Sequence, residues 1–168
     1  MNIAQIRNID VANGEGVRVS LFVSGCKFNC FNCFNKEYQN FNYGEKFTDK
    51  HIDKLIELLK PRYIKGLSIL GGEPMEHPIE LHYLLSTIRK FLREDQDIWM
   101  WSGYTLGQIL LDPDKIKVLR ELDILVDGLY VEEKRDLNLR FSGSSNQRII
   151  DVKKTLENED IILWDPNY

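Results

Sequence analysis

The residues whose type and spacing could do chemistry are Cys26, Cys30 and Cys33, in a Cys-x-x-x-Cys-x-x-Cys pattern. Thiolates are soft ligands that suit zinc, copper(I) and iron–sulfur clusters. A structural zinc normally takes four protein ligands, and the chain has no fourth cysteine. Three thiolates around a four-iron cluster leave one iron open to a substrate or cofactor. The pattern therefore favours a catalytic iron–sulfur cluster.

Two other interpretations of the cysteines stay open. One is a zinc site completed by a histidine, for which the candidates are His51, His77 and His82. The other is a set of buried thiols that bind nothing. Three cysteines on one short loop beside a strand are more typical of a shared ligand, and iron and sulfide content would separate the three cases.

Composition bounds the class of protein. The chain has 168 residues, 43% hydrophobic and 29% charged, and we expect one domain over residues 1–168. A net charge of −4 gives no support for an extensive nucleic-acid interface. The sequence shows no membrane span and no signal peptide. It shows no disulfide framework either, since the cysteines are odd in number and all lie within eight residues. We therefore expect a cytoplasmic protein without nucleic-acid or membrane partners.

Strands and helices alternate along the chain. Runs of β-branched and aromatic residues predict strands, and apolar residues at helical spacing predict helices that Thr48 and Asp112 cap. The predicted strands cover residues 17–23, 67–70, 98–101, 123–126 and 161–164, and the predicted helices cover residues 48–60, 79–93 and 112–122. This alternation is typical of an α/β fold with a mostly parallel sheet.

Unusual local sequences follow four of the predicted strands: the Cys26 loop, Gly71-Gly72-Glu73-Pro74, Trp101-Ser102-Gly103-Tyr104 and Asp127-Gly128. Ligands of such sheets bind beyond the carboxyl ends of the parallel strands. These four segments are therefore expected to form one active site.

The cysteine loop after a first strand and the Gly-Gly-Glu-Pro segment after the second resemble the radical S-adenosylmethionine superfamily. Most members carry an aromatic residue before the third cysteine, whereas this chain has Asn32 there and Phe34 just after it. That variant is similar to the activating subunits of anaerobic ribonucleoside-triphosphate reductases. Residues 24–26, 101–104, 126–128 and 140–148 are similar to that family too.

The resemblance implies a partial (incomplete) β/α barrel that holds a 4Fe-4S cluster and S-adenosylmethionine. One electron into the cluster would cleave the sulfonium, and the resulting 5′-deoxyadenosyl radical would take a hydrogen atom from a glycine of the partner. The implied partners are the large subunit of anaerobic ribonucleoside-triphosphate reductase, reached through the open side of the barrel, and an electron donor such as flavodoxin. The alternatives for this chain are an activase of another glycyl-radical enzyme, a small-molecule radical enzyme or a zinc-binding interaction module.

The resemblance also implies roles for individual residues. Cys26, Cys30 and Cys33 would be the cluster ligands, with no further catalytic residue. The methionine part would contact the Gly-Gly-Glu segment, whose glycines could instead form a plain turn. With that segment included, the implied cofactor contacts are Phe34, Gly71, Gly72, Glu73, Ser102, Gly103 and Asp127. The alternative for Phe34 is a core position, and the alternative for the glycines, Ser102 and Asp127 is a turn.

Several further segments have no assigned role in the sequence. Residues 7–16 read as a turn-rich loop before the first strand, and Trp99 and Trp101 share one strand face, as core residues do. The polar residues Arg140, Asn146, Gln147 and Arg148 could contact the cofactor or partner, or belong to a solvated loop.

Overall fold

The computed structural model describes residues 1–158 and 160–165, in which seven strands form one open sheet. The strand order is β3-β1-β2-β4-β5-β6-β7. The four central strands, β2, β4, β5 and β6, are parallel, whereas the outer pairings are antiparallel. The strands are β1 (Asn2–Asp10), β2 (Val17–Ser24), β3 (Glu45–Lys46), β4 (Ile64–Gly71), β5 (Asp97–Ser102), β6 (Ile124–Asp127) and β7 (Arg148–Asp151).

In the described part of the chain, five α-helices accompany the sheet: α1 (Asp49–Leu59), α2 (Pro78–Arg89), α3 (Leu106–Ile109), α4 (Pro113–Leu119) and α5 (Val152–Asn158). Helix α1 is capped by Thr48, which forms a capping box with His51. Its apolar residues Ile52, Leu55 and Leu59 are buried against the sheet in the main core. Burial of this face, rather than helix propensity alone, holds the helix in place.

The other face of the central strands carries a smaller core around Trp99 and Val126. Beside it the fully buried Arg18 donates from Nε to the Ser68 hydroxyl at 2.7 Å and pairs with Asp97. These contacts tie β2 to β4 and β5, so the strands that lead into the predicted site keep a fixed register.

The expected α/β alternation with a parallel centre is confirmed, but the sheet is mixed at its edges and does not close. The loop expected at residues 7–16 is wrong in part, because residues 7–10 belong to β1. The strand expected at residues 161–164 is also wrong, since Leu163 forms only an isolated bridge to Ile150. Helix α2 ends at Arg89 rather than at residue 93. No helix among the described residues is long and apolar enough to cross a membrane.

Candidate functional site

The segments that follow β2, β4 and β5 converge on one cavity of about 230 Å³ at the carboxyl ends of the parallel strands. This cavity is called the cofactor pocket below. All the sequence-predicted site residues except Asp127 line it: Cys26, Cys30, Cys33, Phe34, Gly71, Gly72, Glu73, Ser102 and Gly103. The shared edge of neighbouring parallel strands explains this convergence.

The cysteine loop is wound tightly over the pocket. Gly25, Asn29 and Asn32 have φ values of 99°, 50° and 55°, in the left-handed region that Gly and Asn enter most readily. The loop is fixed at its start by hydrogen bonds from the Gly25 and Cys26 amides to carbonyls of residues 38 and 39. All three cysteines are free thiols of intermediate exposure, so their sulfur atoms remain available to a ligand.

The donor set fits a cluster better than a single ion. Among the described residues, no group of three or more His, Cys, Asp or Glu side chains is arranged to hold one metal ion. A four-iron cluster is larger and spaces its thiolates further apart. The histidines contact other groups: His77 Nε2 lies 2.8 Å from the Ser24 carbonyl oxygen, His51 Nδ1 contacts the Thr48 cap, and His82 Nε2 lies 3.7 Å from the Glu121 carboxylate.

The thiols of Cys26 and Cys30 are not activated by the protein itself. Burial raises the pKa of Cys26 and of Cys30 above the ordinary value, and nearby acidic groups add to this effect. These two thiols are therefore neutral at neutral pH in the apo protein. Binding of iron would stabilise the thiolates and release their protons.

The Gly-Gly-Glu segment is built onto the cysteine loop. The Gly72 amide donates to the Val23 carbonyl and the Glu73 amide to the Gly25 carbonyl, each at 2.8 Å. Gly71 has a φ of 116°, and a Cβ at Gly72 would lie 2.6 Å from the Gly25 oxygen. Both glycines are therefore required for the close approach of the two backbone segments. The turn that the sequence offered as an alternative would by itself account for glycine at these two positions.

Glu73 is a buried carboxylate held by three donors. Its Oε1 accepts from the Met75 amide at 2.9 Å and from the Ser102 hydroxyl at 2.7 Å, and its Oε2 accepts from the Gly103 amide at 2.7 Å. Desolvation nevertheless raises the pKa of Glu73 to about 7, because burial outweighs the hydrogen bonds that favour its charged form. Oε2, with one protein partner, keeps acceptor capacity for a cationic ligand.

The raised pKa predicts how the stability of the apo protein depends on pH. An unfolded Glu loses its proton near 4.5, whereas folded Glu73 keeps it to about 7, so the folded state binds more protons between these values. Unfolding free energy should therefore fall by about 3 kcal/mol, through this group, as pH rises across that window. Urea unfolding at pH 5 and pH 7.5 measures this change in the free energy of unfolding.

The control for this prediction is a pair of variants. Glu73→Gln should remove most of the difference between the two pH values, while the exposed Glu57→Gln should keep it. An identical pH dependence in the wild type and in Glu73→Gln would contradict the assignment to Glu73.

Asp127 lies beside the pocket but does not line it. Its buried carboxylate accepts from the Leu106 amide at 2.7 Å and forms a two-point ion pair with Arg148, whose Nε lies 2.9 Å away. These contacts fix the start of α3 and the pairing of β6 with β7. The neighbouring Gly128 lines the pocket instead.

Phe34 is 87% exposed at the mouth of the pocket, so the alternative that it belongs to the core is wrong. Trp101 is partly core, because its ring stacks on Trp99 at 5.8 Å between centroids, but it also lines the pocket. Its indole Nε1 donates to the Phe141 carbonyl at 2.7 Å. Trp101 therefore connects the smaller core to the wall of the cofactor pocket.

The segment after β6 supplies two pocket residues that the sequence did not indicate, Leu129 and Tyr130, together with Gln147 from the polar run, and the cysteine loop adds Phe28. Gln147 donates to the Gly128 carbonyl at 3.0 Å and accepts from the Gly143 amide at 2.9 Å. This segment closes on itself through hydrogen bonds between distant residues, and its only sequence signal was the polar run at residues 140–148.

An open α/β sheet with three free thiols and a buried carboxylate around one cavity has the architecture of an iron–sulfur protein with a cofactor site beside its cluster. The model of the family described as "4Fe-4S single cluster domain" matches residues 12–150.

Three similar proteins carry the name anaerobic ribonucleoside-triphosphate reductase-activating protein. The one from Vibrio cholerae serotype O1 is 42% identical over 153 residues, covering 89% of this chain and 97% of its own. The one from Escherichia coli K12 is 38% identical, covering 88% and 96%. The one from Enterobacteria phage T4 is 34% identical, covering 89% and 93%. The chain therefore belongs to the family of these activating proteins and to the 4Fe-4S single cluster domain family.

Proposed function

We propose that this protein is the activating enzyme of an anaerobic ribonucleoside-triphosphate reductase. In this proposal it holds a 4Fe-4S cluster, cleaves S-adenosylmethionine reductively and generates a glycyl radical on the large subunit of the reductase. The observation that carries the proposal is that three free thiols and the buried Glu73 face one pocket. The names of the similar proteins support the choice of partner.

The chain would bind and orient the groups that carry the chemistry. Bound together, the cluster and S-adenosylmethionine supply the one-electron cleavage and the hydrogen abstraction. Cys26, Cys30 and Cys33 are the proposed cluster ligands. Oε2 of Glu73 would accept a hydrogen bond from the ammonium of the methionine part, and that positive charge would favour the ionised form of Glu73.

Other residues of the pocket would act through position and through exclusion of water. Ser102 and Gly103 hold the carboxylate of Glu73 and would lie beside the ribose. Gly71 and Gly72 allow the backbone to approach closely, and Phe34 would cover the adenine at the mouth. Asp127 is proposed to act indirectly, by fixing the strand that leads to Gly128.

A groove continues from the pocket to the surface between β1 and residues 135–143. It shares Phe34, Asn35, Leu70, Trp101 and Tyr130 with the cofactor pocket. We propose that the sheet forms part of an incomplete barrel and that this groove is its open side. The glycine-bearing loop of the reductase would reach the cofactor through it.

An anaerobic electron paramagnetic resonance experiment tests the function. Reconstituted protein, reduced with dithionite, is mixed with S-adenosylmethionine and the reductase, and the expected result is a glycyl-radical doublet that requires every component. An intact cluster without a doublet would remove this reductase as partner, and other glycyl-radical enzymes and small molecules would then be tried. Colourless protein with one bound zinc would contradict the enzyme and favour an interaction module.

A further inference from the structure

A second depression lies on the outer side of the cysteine loop. It measures about 610 Å³, and it is called the outer depression below. Cys30 and Cys33 line both this depression and the cofactor pocket. The loop is therefore thin at this point, and two of the proposed cluster ligands separate the pocket from the surface. The full lining is Asn29, Cys30, Phe31, Asn32, Cys33, Phe34, Lys36, Tyr130, Glu132 and Arg135.

A large aromatic side chain is displayed at this depression. Phe31 stands between Cys30 and Cys33 and is 76% exposed. The left-handed backbone of Asn29 and Asn32 on either side sets the course of the loop around it. Phe34, which is 87% exposed, lines the same depression. Exposed apolar side chains that stand together mark interaction sites, whereas single ones are ordinary surface.

The charged side chains that line the depression sum to a positive charge, whereas the net charge of the chain is −4. Its charged side chains are Lys36, Arg135 and Glu132. The Glu132 carboxylate is occupied, because it accepts from the Tyr130 hydroxyl and lies 3.8 Å from Arg135. Lys36 is exposed and has no ion-pair partner among residues 1–158 and 160–165. One unpaired cation beside an exposed aromatic ring suits a protein with an acidic rim.

The two openings suit different partners. A glycine that is to lose a hydrogen atom must reach the cofactor pocket, and the groove beside β1 leads there. An electron needs only a short path to the thiolates, and the outer depression provides one through Cys30 and Cys33.

We infer that the outer depression, centred on Phe31 and Lys36, is the docking site for a one-electron carrier protein with an acidic rim around its redox group. This inference rests on the proposed function, which requires one electron for each cofactor cleavage. On docking, the carrier is oxidised by one electron and the cluster is reduced by one electron, with no bond formed or broken. The depression and the groove share Phe34, Tyr130 and Arg135, so the carrier and the reductase would dock at neighbouring surfaces. Phe31 and Lys36 line the depression and not the groove.

The test compares two reductants on the cluster-loaded protein. The double variant Phe31→Ala with Lys36→Glu is reduced either by dithionite or by reduced flavodoxin, a small acidic flavoprotein. Cluster bleaching is followed by stopped-flow absorbance at low and high salt, and flavodoxin binding by titration. We expect flavodoxin-driven reduction to slow by about tenfold or more at low salt, since charge steering changes association rates by that order. The dithionite rate should match the wild type.

Matched variants keep the test decisive. Lys90 and Phe91 repeat the pairing of a cation with an aromatic ring, both exposed, at the end of α2, and the double variant Lys90→Glu with Phe91→Ala should leave both rates unchanged. Lys36 lies outside the cysteine pattern. The single variant Lys36→Glu should therefore slow reduction by flavodoxin without any change in iron content.

Three results would overturn the inference. They are an unchanged flavodoxin rate in the double variant, equal slowing with both reductants, and slower glycyl-radical formation with dithionite, which would place the reductase on this surface. Failure of the wild type to form the radical with dithionite would overturn the proposed function and the docking site with it. A normal dithionite-driven radical with an unchanged flavodoxin rate would overturn the docking site alone.

Discussion

Replacing Cys30 with alanine is expected to remove the cluster and to abolish radical formation. Removal of a group that merely supports a metal ligand typically costs about 10–100-fold in metal affinity or activity. Loss of a ligand itself should therefore lower activity by more than about 100-fold. The thiol has no substitute nearby, because the chain holds only three cysteines and no group among the described residues completes a metal site.

The measurement is iron and sulfide content after anaerobic reconstitution, followed by cleavage of S-adenosylmethionine. Asn29→Gly is the matched control, since it alters the same loop without removing a thiol. Glycine accepts the φ of 50° at that position, so the loop should keep its course and load iron as the wild type does. Full cleavage activity in Cys30→Ala would show that the ligand assignment is wrong.

The strand-end segments could be predicted because their signals are local. A run such as residues 17–23 has the composition of a buried strand, and the carboxyl ends of parallel strands meet at one edge. The cysteine loop, the Gly-Gly-Glu segment and the Ser102-Gly103 turn consequently lie around one pocket. Their contacts with one another were not predictable: the sequence suggested a cofactor for Ser102 and Gly103, and the structure shows them donating to Glu73.

The edges of the sheet escaped prediction for a physical reason. Strand β1 is interrupted by two register shifts, and Arg7, Asn8 and Ile9 are all exposed, so no alternation of polar and apolar residues marks it. Bulges and charges are what edge strands use against pairing with other chains. Strand β7 begins with Arg148, whose charge is balanced by Asp127 from the neighbouring strand. That ion pair joins residues far apart in the sequence, so no local sequence pattern predicts it.

Replacing Gly72 with alanine is expected to damage both the fold and the site. A Cβ at this position would lie 2.6 Å from the Gly25 carbonyl oxygen and 2.7 Å from the Tyr38 carbonyl oxygen. Both neighbours are backbone atoms, and the Gly25 oxygen also accepts the Glu73 amide, so neither can rotate away. Overpacking of this kind costs about 1–3 kcal/mol even where side chains can adjust, and we expect the upper end of that range or more.

The same displacement should reach the cysteines. The Gly25 carbonyl that the new methyl group would push against directly precedes Cys26, and the Gly25 amide is bonded to Tyr38. The variant should therefore bind less iron and less S-adenosylmethionine, measured by iron content and by equilibrium binding, in addition to unfolding at lower urea.

Gly107→Ala provides the matched control for this prediction, because nothing lies within 4 Å of a Cβ built at that position in α3. Alanine is favoured over glycine inside a helix by about 1 kcal/mol, so this variant should be as stable as the wild type or slightly more stable. Equal stability and equal iron binding in Gly72→Ala would mean that the backbone at Gly25 can yield. In that case the link between the Gly-Gly-Glu segment and the cysteine loop would not position the thiols, and Glu73 would have to act on the cofactor by its side chain alone.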